Sequence, residues 1–195
     1  MKQKITLFAI FLLFVSCKAQ IIPVEQVIGN YDMVEEGQTN YIKDINNVLD
    51  DYVGTWIGNY NNKNYTFIIT KTTIIFDEKY NIDADILLMK HLIAGSTTSD
   101  IIEDTTLLSD KDAHSSGLYF DRFSSGGLSY VFDYGGDYYD CGRMGEVVVT
   151  LFNDKTQMYL IMIQGHDTVV NYDEECPGGE VEQVLPTERI ALTKK

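Results

Sequence analysis

The chain has 195 residues, and 29 Asp and Glu outnumber 15 Lys and Arg, which gives a formal charge of −14. This length is enough for one domain with a single core, and 45% hydrophobic with 23% charged residues is a globular composition. Wholesale disorder and a polytopic membrane protein are therefore poor interpretations. Because the charge repels phosphate backbones and no Lys/Arg cluster offsets it, we predict a folded acidic domain with no nucleic-acid partner.

The first segment has the features of an export signal. Lys2 and Lys4 precede the apolar run 5–15, which is about half the length that spans a bilayer. Residues 1–16 are therefore predicted to be a signal peptide. Ser16-Cys17 resembles a bacterial lipobox, which implies that the Cys17 thiol is diacylated and becomes the new N-terminus, with two acyl chains giving a stable membrane anchor. The polar residues 17–43 lack sustained periodicity and are predicted to be a lipid-anchored tether.

Plain secretion is the alternative. Cys17 and Ala19 also fit an A-x-A-like site, whose cleavage would leave Gln20 first. Both interpretations export the protein, either as a lipoprotein of the outer membrane or cell envelope, or as a secreted or periplasmic protein. Once Cys17 is lipidated or removed, Cys141 and Cys176 remain as a single pair without CxxC or zinc spacing. An even pair in an oxidising compartment predicts a structural disulfide.

Residues 44–195 are predicted to form a single β domain that a short helix precedes. Asp44 is placed to cap that helix and Gly54 to end it, and its apolar positions have helical spacing, namely Ile45, Val48, Leu49 and Tyr52.

After Gly54 the pattern is that of strands. Strands are predicted at 55–60, 65–71, 72–77, 86–93, 118–123, 128–133, 147–152, 157–163 and 189–193, with a further short strand at 105–108 as an option. Polar connectors of hairpin length lie at 61–64 and 153–156. Eight or nine short strands joined by Gly, Asn and Asp turns are typical of an antiparallel lipocalin-like barrel or a sandwich, so the predicted fold class is all-β.

Two family resemblances extend this prediction. The stretch 41–56 and the ending 185–194 resemble an uncharacterised, domain-of-unknown-function family of small bacterial lipoproteins, which has no assigned activity. Gly54-Thr55-Trp56 resembles the Gly-x-Trp that opens the first strand of lipocalin-like barrels. There a basic residue near the chain end packs on the tryptophan, and the resemblance implies that Arg189 does so here. The alternative is that Trp56 is simply a core anchor.

No catalytic motif with definite mechanics is present in the sequence. A G-x-S-x-G elbow, a P-loop, H-E-x-x-H and paired CxxC are all missing, so we predict a protein that is not an enzyme. His91, His114 and His166 fall in three separate segments and are interpreted as surface or loop residues.

One acidic cluster is a weak candidate for a metal site. A bond between Cys141 and Cys176 would bring their flanking loops together, and Ca²⁺ takes six to eight oxygen ligands in its sites. The simpler interpretation is a solvated acidic rim without a cofactor. The candidate ligands are Asp133, Asp137, Asp140, Asp173, Glu174 and Glu175.

The leading hypothesis is a non-enzymatic lipoprotein of the cell envelope that acts through binding or structure. Its partners would be the membrane, through the lipid, and an unidentified protein or glycan. The alternative is a lipocalin-like carrier of a small apolar ligand, since an eight-stranded barrel is either filled by side chains or holds one small ligand. A filled interior is favoured by large residues predicted to point inward, namely Phe67, Ile69, Phe120, Phe132, Met158, Leu160 and Met162.

Overall fold

The computed structural model describes residues 20–28, 40–77, 82–97, 99–121, 129–136, 141–152, 154–165, 176 and 181–195. These residues form eleven strands: β1 (Gln20–Pro23), β2 (Asn40–Lys43), β3 (Gly54–Tyr60), β4 (Lys63–Asp77), β5 (Ile82–Ala94), β6 (Ile101–Asp104), β7 (Ser115–Asp121), β8 (Ser129–Gly135), β9 (Met144–Leu151), β10 (Gln157–Gln164) and β11 (Ile190–Lys194). Helical backbone in the described part is of the 3-10 type, with turns at Val24–Gln26, Leu49–Asp51 and Asp110–Asp112. No helix there is long and apolar enough to cross a membrane.

Eight of the strands close into an antiparallel barrel. Their order is β5-β4-β3-β11-β10-β9-β8-β7, and β7 pairs back onto β5 through Leu88 with Ser116 and Met89 with Ser115. Closure pairs the strand edges that an open sheet would leave exposed. The all-β prediction is confirmed, and of the two predicted architectures the barrel is the observed one.

Strand β5 organises the sheet. One of its edges pairs with β4 from end to end. The other edge pairs with three different strands along its length. Residues 82–84 pair with β2, 88–89 with β7 and 92–94 with β6. Strands β3, β5, β8 and β10 begin at what we call the Trp56 end of the barrel, whereas β4, β7, β9 and β11 begin at the opposite end, called the Glu103 end.

Parts of the predicted tether belong to the folded domain. Strand β1 pairs in parallel with β2, and β2 in parallel with β5. The prediction of a tether over 17–43 is therefore wrong for the described residues 20–28 and 40–43. Each of these two strands is four residues long, which is too short to show a periodicity in sequence. Their segments bury Ile22, Val24, Val27 and Ile42 in the core.

The predicted helix is reduced to the 3-10 turn Leu49–Asp51. The N-cap position is Val48, and the Asp44 carboxylate binds the start of the turn by accepting hydrogen bonds from the backbone N–H groups of Val48 at 2.7 Å and Leu49 at 3.2 Å. Ile45 is exposed, so only the second half of the helical pattern marks buried positions.

Most predicted strands are present with shifted limits. The segments 65–71 and 72–77 are one continuous strand, β4, and the optional strand at 105–108 is replaced by β6 at Ile101–Asp104. The connector between β3 and β4 is a two-residue turn, in which Asn61 and Asn62 have φ of 47° and 59°. Positive φ at both central residues is the geometry of the tight turn that matches strand twist.

Large side chains occupy the barrel interior. All seven residues that were predicted to point inward are buried, which confirms that prediction. Further large core residues are Trp56, Tyr65, Leu87, Met89, Ile93, Tyr130, Tyr134, Ile190 and Leu192.

Candidate functional site

A cluster of charged side chains lies at the Glu103 end of the barrel. Glu103 is on β6 opposite Ile93 of β5, and 11% of its side chain is exposed. Its carboxylate oxygens lie 3.6 Å from His91 Nε2, 3.9 Å from His114 Nδ1 and 3.9 Å from Arg143 Nη1. These four residues are called the Glu103 cluster below.

The backbone of β5 holds His91 in this position. The Thr105 hydroxyl accepts a hydrogen bond from the His91 N–H at 2.7 Å, and the Thr105 N–H donates to the His91 carbonyl at 2.8 Å. The His91 ring is fully buried, with the ring centroids of Phe67 and Tyr134 each at 6.3 Å. These two hydrogen bonds hold the residue after β6 beside β5, so that the side chains of Glu103 and His91 both lie in the barrel interior.

The environment of Glu103 favours its ionised form. Burial alone would raise the pKa of this carboxyl, but the contact with His91 and the charges of Arg143 and His114 outweigh it and hold the pKa below its usual value. The nearest His91 nitrogen, at 3.6 Å, is beyond hydrogen-bond distance, so this contact is electrostatic. Glu103 is consequently a carboxylate at neutral pH, with Arg143 as a nearby cation.

Several atoms of the cluster have unused hydrogen-bonding capacity. Both ring nitrogens of His91 and Oε2 of Glu103 are buried without a hydrogen-bond partner among the described residues. Buried polar groups of this kind ordinarily bind water or a small polar molecule. The cluster is therefore chemically suited to hold such a molecule.

The sequence interpretation of the histidines as surface or loop residues was wrong for His91, which is fully buried on β5. His114 lies in the loop before β7, and 11% of its side chain is exposed. His166 lies outside the described residues. The burial of His91 could have been inferred from its place in the alternating interior series of Leu87, Met89 and Ile93 on β5. Because both faces of this strand carry apolar residues, the alternation is hard to recognise in the sequence.

The predicted disulfide is confirmed. Cys141 and Cys176 are bonded and both are buried. The Val181 N–H donates to the Cys141 carbonyl at 2.9 Å, and Arg143 Nε donates to the Glu182 carbonyl at 3.0 Å. The disulfide and Arg143 thus attach the segment 181–185 to the same end of the barrel as the Glu103 cluster.

Of the predicted calcium ligands, the described part of the chain contains Asp133 alone, so the calcium site stays a prediction. Asp133 is an exposed residue of β8, in register with Ser116 and Glu146. Within the described part of the chain, no group of three or more His, Cys, Asp or Glu side chains is arranged to hold a metal ion. The other predicted ligands lie outside the described residues, namely Asp137, Asp140, Asp173, Glu174 and Glu175.

At the Trp56 end, a lysine takes the position expected for Arg189. Trp56 is fully buried, and its Nε1 donates a hydrogen bond to the Tyr52 carbonyl at 2.8 Å. Lys194 Nζ lies 5.2 Å from the centroid of the Trp56 ring, whereas Arg189 lies over Tyr159 at 5.4 Å. The predicted contact between Arg189 and Trp56 is therefore wrong, because Lys194 is the register partner of Trp56 and Arg189 precedes β11 at the other end of the barrel.

Gly54 makes room for this lysine. Its φ is +138°, and a Cβ there would lie 2.8 Å from Lys194 Cε. The glycine of Gly54-Thr55-Trp56 is therefore required both by its backbone conformation and by the lysine stem.

These features define a closed antiparallel β-barrel with a filled core, a packed Trp56 end and a charged cluster at the other end. The chain belongs to a family of unknown function (DUF6705), whose model matches residues 1–118. Membership of an uncharacterised family was the expectation from the sequence. No curated protein and no solved structure matches the chain.

Proposed function

We propose that the protein is an exported lipoprotein of the bacterial cell envelope that is anchored through Cys17 and acts by binding or structure, not by catalysis. The observation that carries the proposal is the disulfide between Cys141 and Cys176, since such bonds form and persist in oxidising compartments. The segment 1–16 has the features of a signal peptide, and the Ser16-Cys17 pair resembles a lipidation site, so both support export to such a compartment.

The packing of the barrel supports action at its outer surface. Side chains such as Phe67, Phe132 and Met158 are fully buried and occupy the centre, where a carrier would hold its ligand. A protein or glycan would then contact the loops and outer strand faces. In the Glu103 cluster, Arg143 and the two histidines stabilise a carboxylate, which supports a structural or binding role for this group.

The carrier of a small apolar ligand is the second candidate, and the closed eight-stranded circuit is the observation that favours it. Titration with a fluorescent apolar probe separates the two candidates. A surface-acting barrel gives no saturable binding at protein concentrations that keep it folded. Saturable binding that a Phe132→Trp substitution abolishes, in a variant with unchanged thermal unfolding, would favour the carrier.

The lipid anchor is tested by expressing the whole gene in a bacterium that is fed a labelled fatty acid. We expect the wild-type protein to carry label and to sediment with membranes. Cys17→Ser should lose the label, while Cys141→Ser, the matched control, should keep it because it alters only the disulfide. Label that persists in Cys17→Ser would overturn the lipoprotein proposal, and unlabelled protein beginning at Gln20 would establish plain secretion.

A further inference from the structure

We propose that an exposed face of the sheet at the Trp56 end of the barrel, next to the lipid anchor, rests on the surface of the bilayer. The face is a row of four residues in register, Ile21 of β1, Tyr41 of β2, Asp83 of β5 and Ile75 of β4, which we call the Ile75 row. This inference rests on the proposed lipidation of Cys17. Its occupant is a lipid surface, not a second protein.

The register places all four side chains on one side of the sheet. Ile21 is opposite Tyr41, Tyr41 opposite Asp83, and Asp83 opposite Ile75. Directly opposite residues point to the same face, and their neighbours Ile22, Ile42 and Ala84 point to the other face and are buried. Ile21 is 54% exposed and Ile75 66% exposed, so the row presents two large apolar side chains to the outside.

Covalent geometry brings the anchor to this row. Gln20 begins β1 and follows Cys17 by three residues in sequence, which span at most about 10 Å. The four strands of the row cover about 14 Å from β1 to β4 at ordinary strand spacing. A diacylated Cys17 inserted in the bilayer therefore holds the Ile75 row within a short distance of the lipid headgroups.

The composition of the row suits the headgroup region of a bilayer. Tyr41 is half-buried, and Lys43 Nζ lies 5.4 Å from the centroid of its ring. Tyrosine with a neighbouring lysine is typical of the membrane interface, where the ring lies among the headgroups and the ammonium stays in water. Asp83 is exposed and stays hydrated, so the contact is shallow. Asp85 also lies on this face and accepts a hydrogen bond from the Tyr41 hydroxyl at 2.8 Å. Because Asp83 and Asp85 outnumber Lys43 there, the lipid that suits this face is zwitterionic, not anionic.

A matched control exists at the other end of the barrel. Ile101 on β6 is 57% exposed, close to the value for Ile75. It pairs with Ala94, whereas Ile75 pairs with Asp83 of the same strand β5, so the two isoleucines are separated by about 35 Å along that strand. An anchored barrel that rests on the Ile75 row keeps Ile101 away from the acyl chains.

The experiment places a fluorescent reporter at each of these positions. The mature lipoprotein is reconstituted in phosphatidylcholine vesicles with brominated acyl chains as Ile75→Trp or Ile101→Trp, and the constant emission of fully buried Trp56 is subtracted. We expect several-fold stronger bromine quenching for Ile75→Trp than for Ile101→Trp, with little dependence on salt. Equal quenching, or stronger quenching for Ile101→Trp, would overturn the inference.

A second preparation separates this result from the lipidation question. If the mass of the purified protein shows no lipid on Cys17, the lipoprotein proposal fails by itself. Residues 17–195, which include all described residues, are then coupled through the Cys17 thiol to a maleimide lipid in the same vesicles. Preferential quenching of Ile75→Trp in this preparation supports the membrane-facing row, and its absence contradicts it.

Discussion

Lys194, on the last strand of the barrel, lies with its ammonium 5.2 Å from the ring centroid of Trp56 on β3. The same ammonium donates a hydrogen bond to the Asp51 carbonyl at 3.1 Å, just before β3 begins. Backbone pairing of Lys194 with Trp56 closes the circuit at this point. Two segments far apart in sequence are thus joined by one cation–π contact, one hydrogen bond and one strand pairing.

We expect a double-mutant cycle of Trp56→Phe and Lys194→Met to give a coupling free energy of about 0.5 to 2 kcal/mol, the range for cation–π contacts with some burial. Unfolding in urea measures it. The matched cycle uses Arg189→Met, whose guanidinium lies over Tyr159, and it should be additive within about 0.3 kcal/mol. Coupling to Arg189 in place of Lys194 would contradict the observed packing.

Gly54→Ala should destabilise the barrel by about 1 to 3 kcal/mol, because φ at this position is +138° and the new methyl group would meet the Lys194 stem. Gly165→Ala is the control, since its Cβ would meet neighbours at ordinary distances of 3.4 Å or more. Thermal unfolding of both variants compares them. Similar melting temperatures for the two variants would contradict the conformational role of Gly54.

The double variant Cys141→Ser/Cys176→Ser should still fold but lose roughly 3 to 4 kcal/mol of unfolding free energy. The bond closes a loop between cysteines 35 positions apart, and the chain-entropy model gives this magnitude for such a loop. Urea unfolding of the oxidised wild type against the variant measures the loss. An unchanged midpoint would contradict a stabilising restriction of the unfolded chain by this bond.

Glu103 should make stability depend on acid pH. Burial alone would raise its pKa. His91, Arg143 and His114 lower the pKa by more than burial raises it, so the folded-state pKa lies below the ordinary value of 4.5. The carboxylate therefore stabilises the fold above about pH 4.5, and this contribution is lost as the pH falls through the folded-state pKa. The stability difference between wild type and Glu103→Gln should be largest at neutral pH and shrink in acid.

Exposed Asp83, at the other end of the barrel, offers the control for this measurement. Asp83→Asn should change stability little at any pH. A Glu103→Gln difference that is the same at pH 3 and pH 7 would show that the ionised carboxylate does not stabilise the fold.

The strands were predictable because their local signals are strong. The apolar runs 147–152 and 157–163 on either side of the polar connector 153–156 match β9 and β10 within a few residues. The Asn61-Asn62 turn has the residue types that accept positive φ. Strands β1 and β2 were missed because each has four residues and is stabilised by strand pairing, β1 with β2 and β2 with β5, not by its own sequence.

The Glu103 cluster could not be predicted in the same way. Its members come from two strands and from the two loops before β7 and β9, and they meet only because β6 and β7 share one edge of β5. The cation over Trp56 was misassigned for a related reason. The resemblance implied a basic residue near the chain end, but only the β3–β11 register distinguishes Lys194 from Arg189.

The intact mass of the protein extracted from bacterial membranes tests the central claim most directly. The account predicts a chain that begins at Cys17, heavier by a diacylglycerol group and lighter by the hydrogens lost in the Cys141–Cys176 bond. A mass that corresponds to an unmodified chain beginning at Met1 or at Gln20 would contradict it.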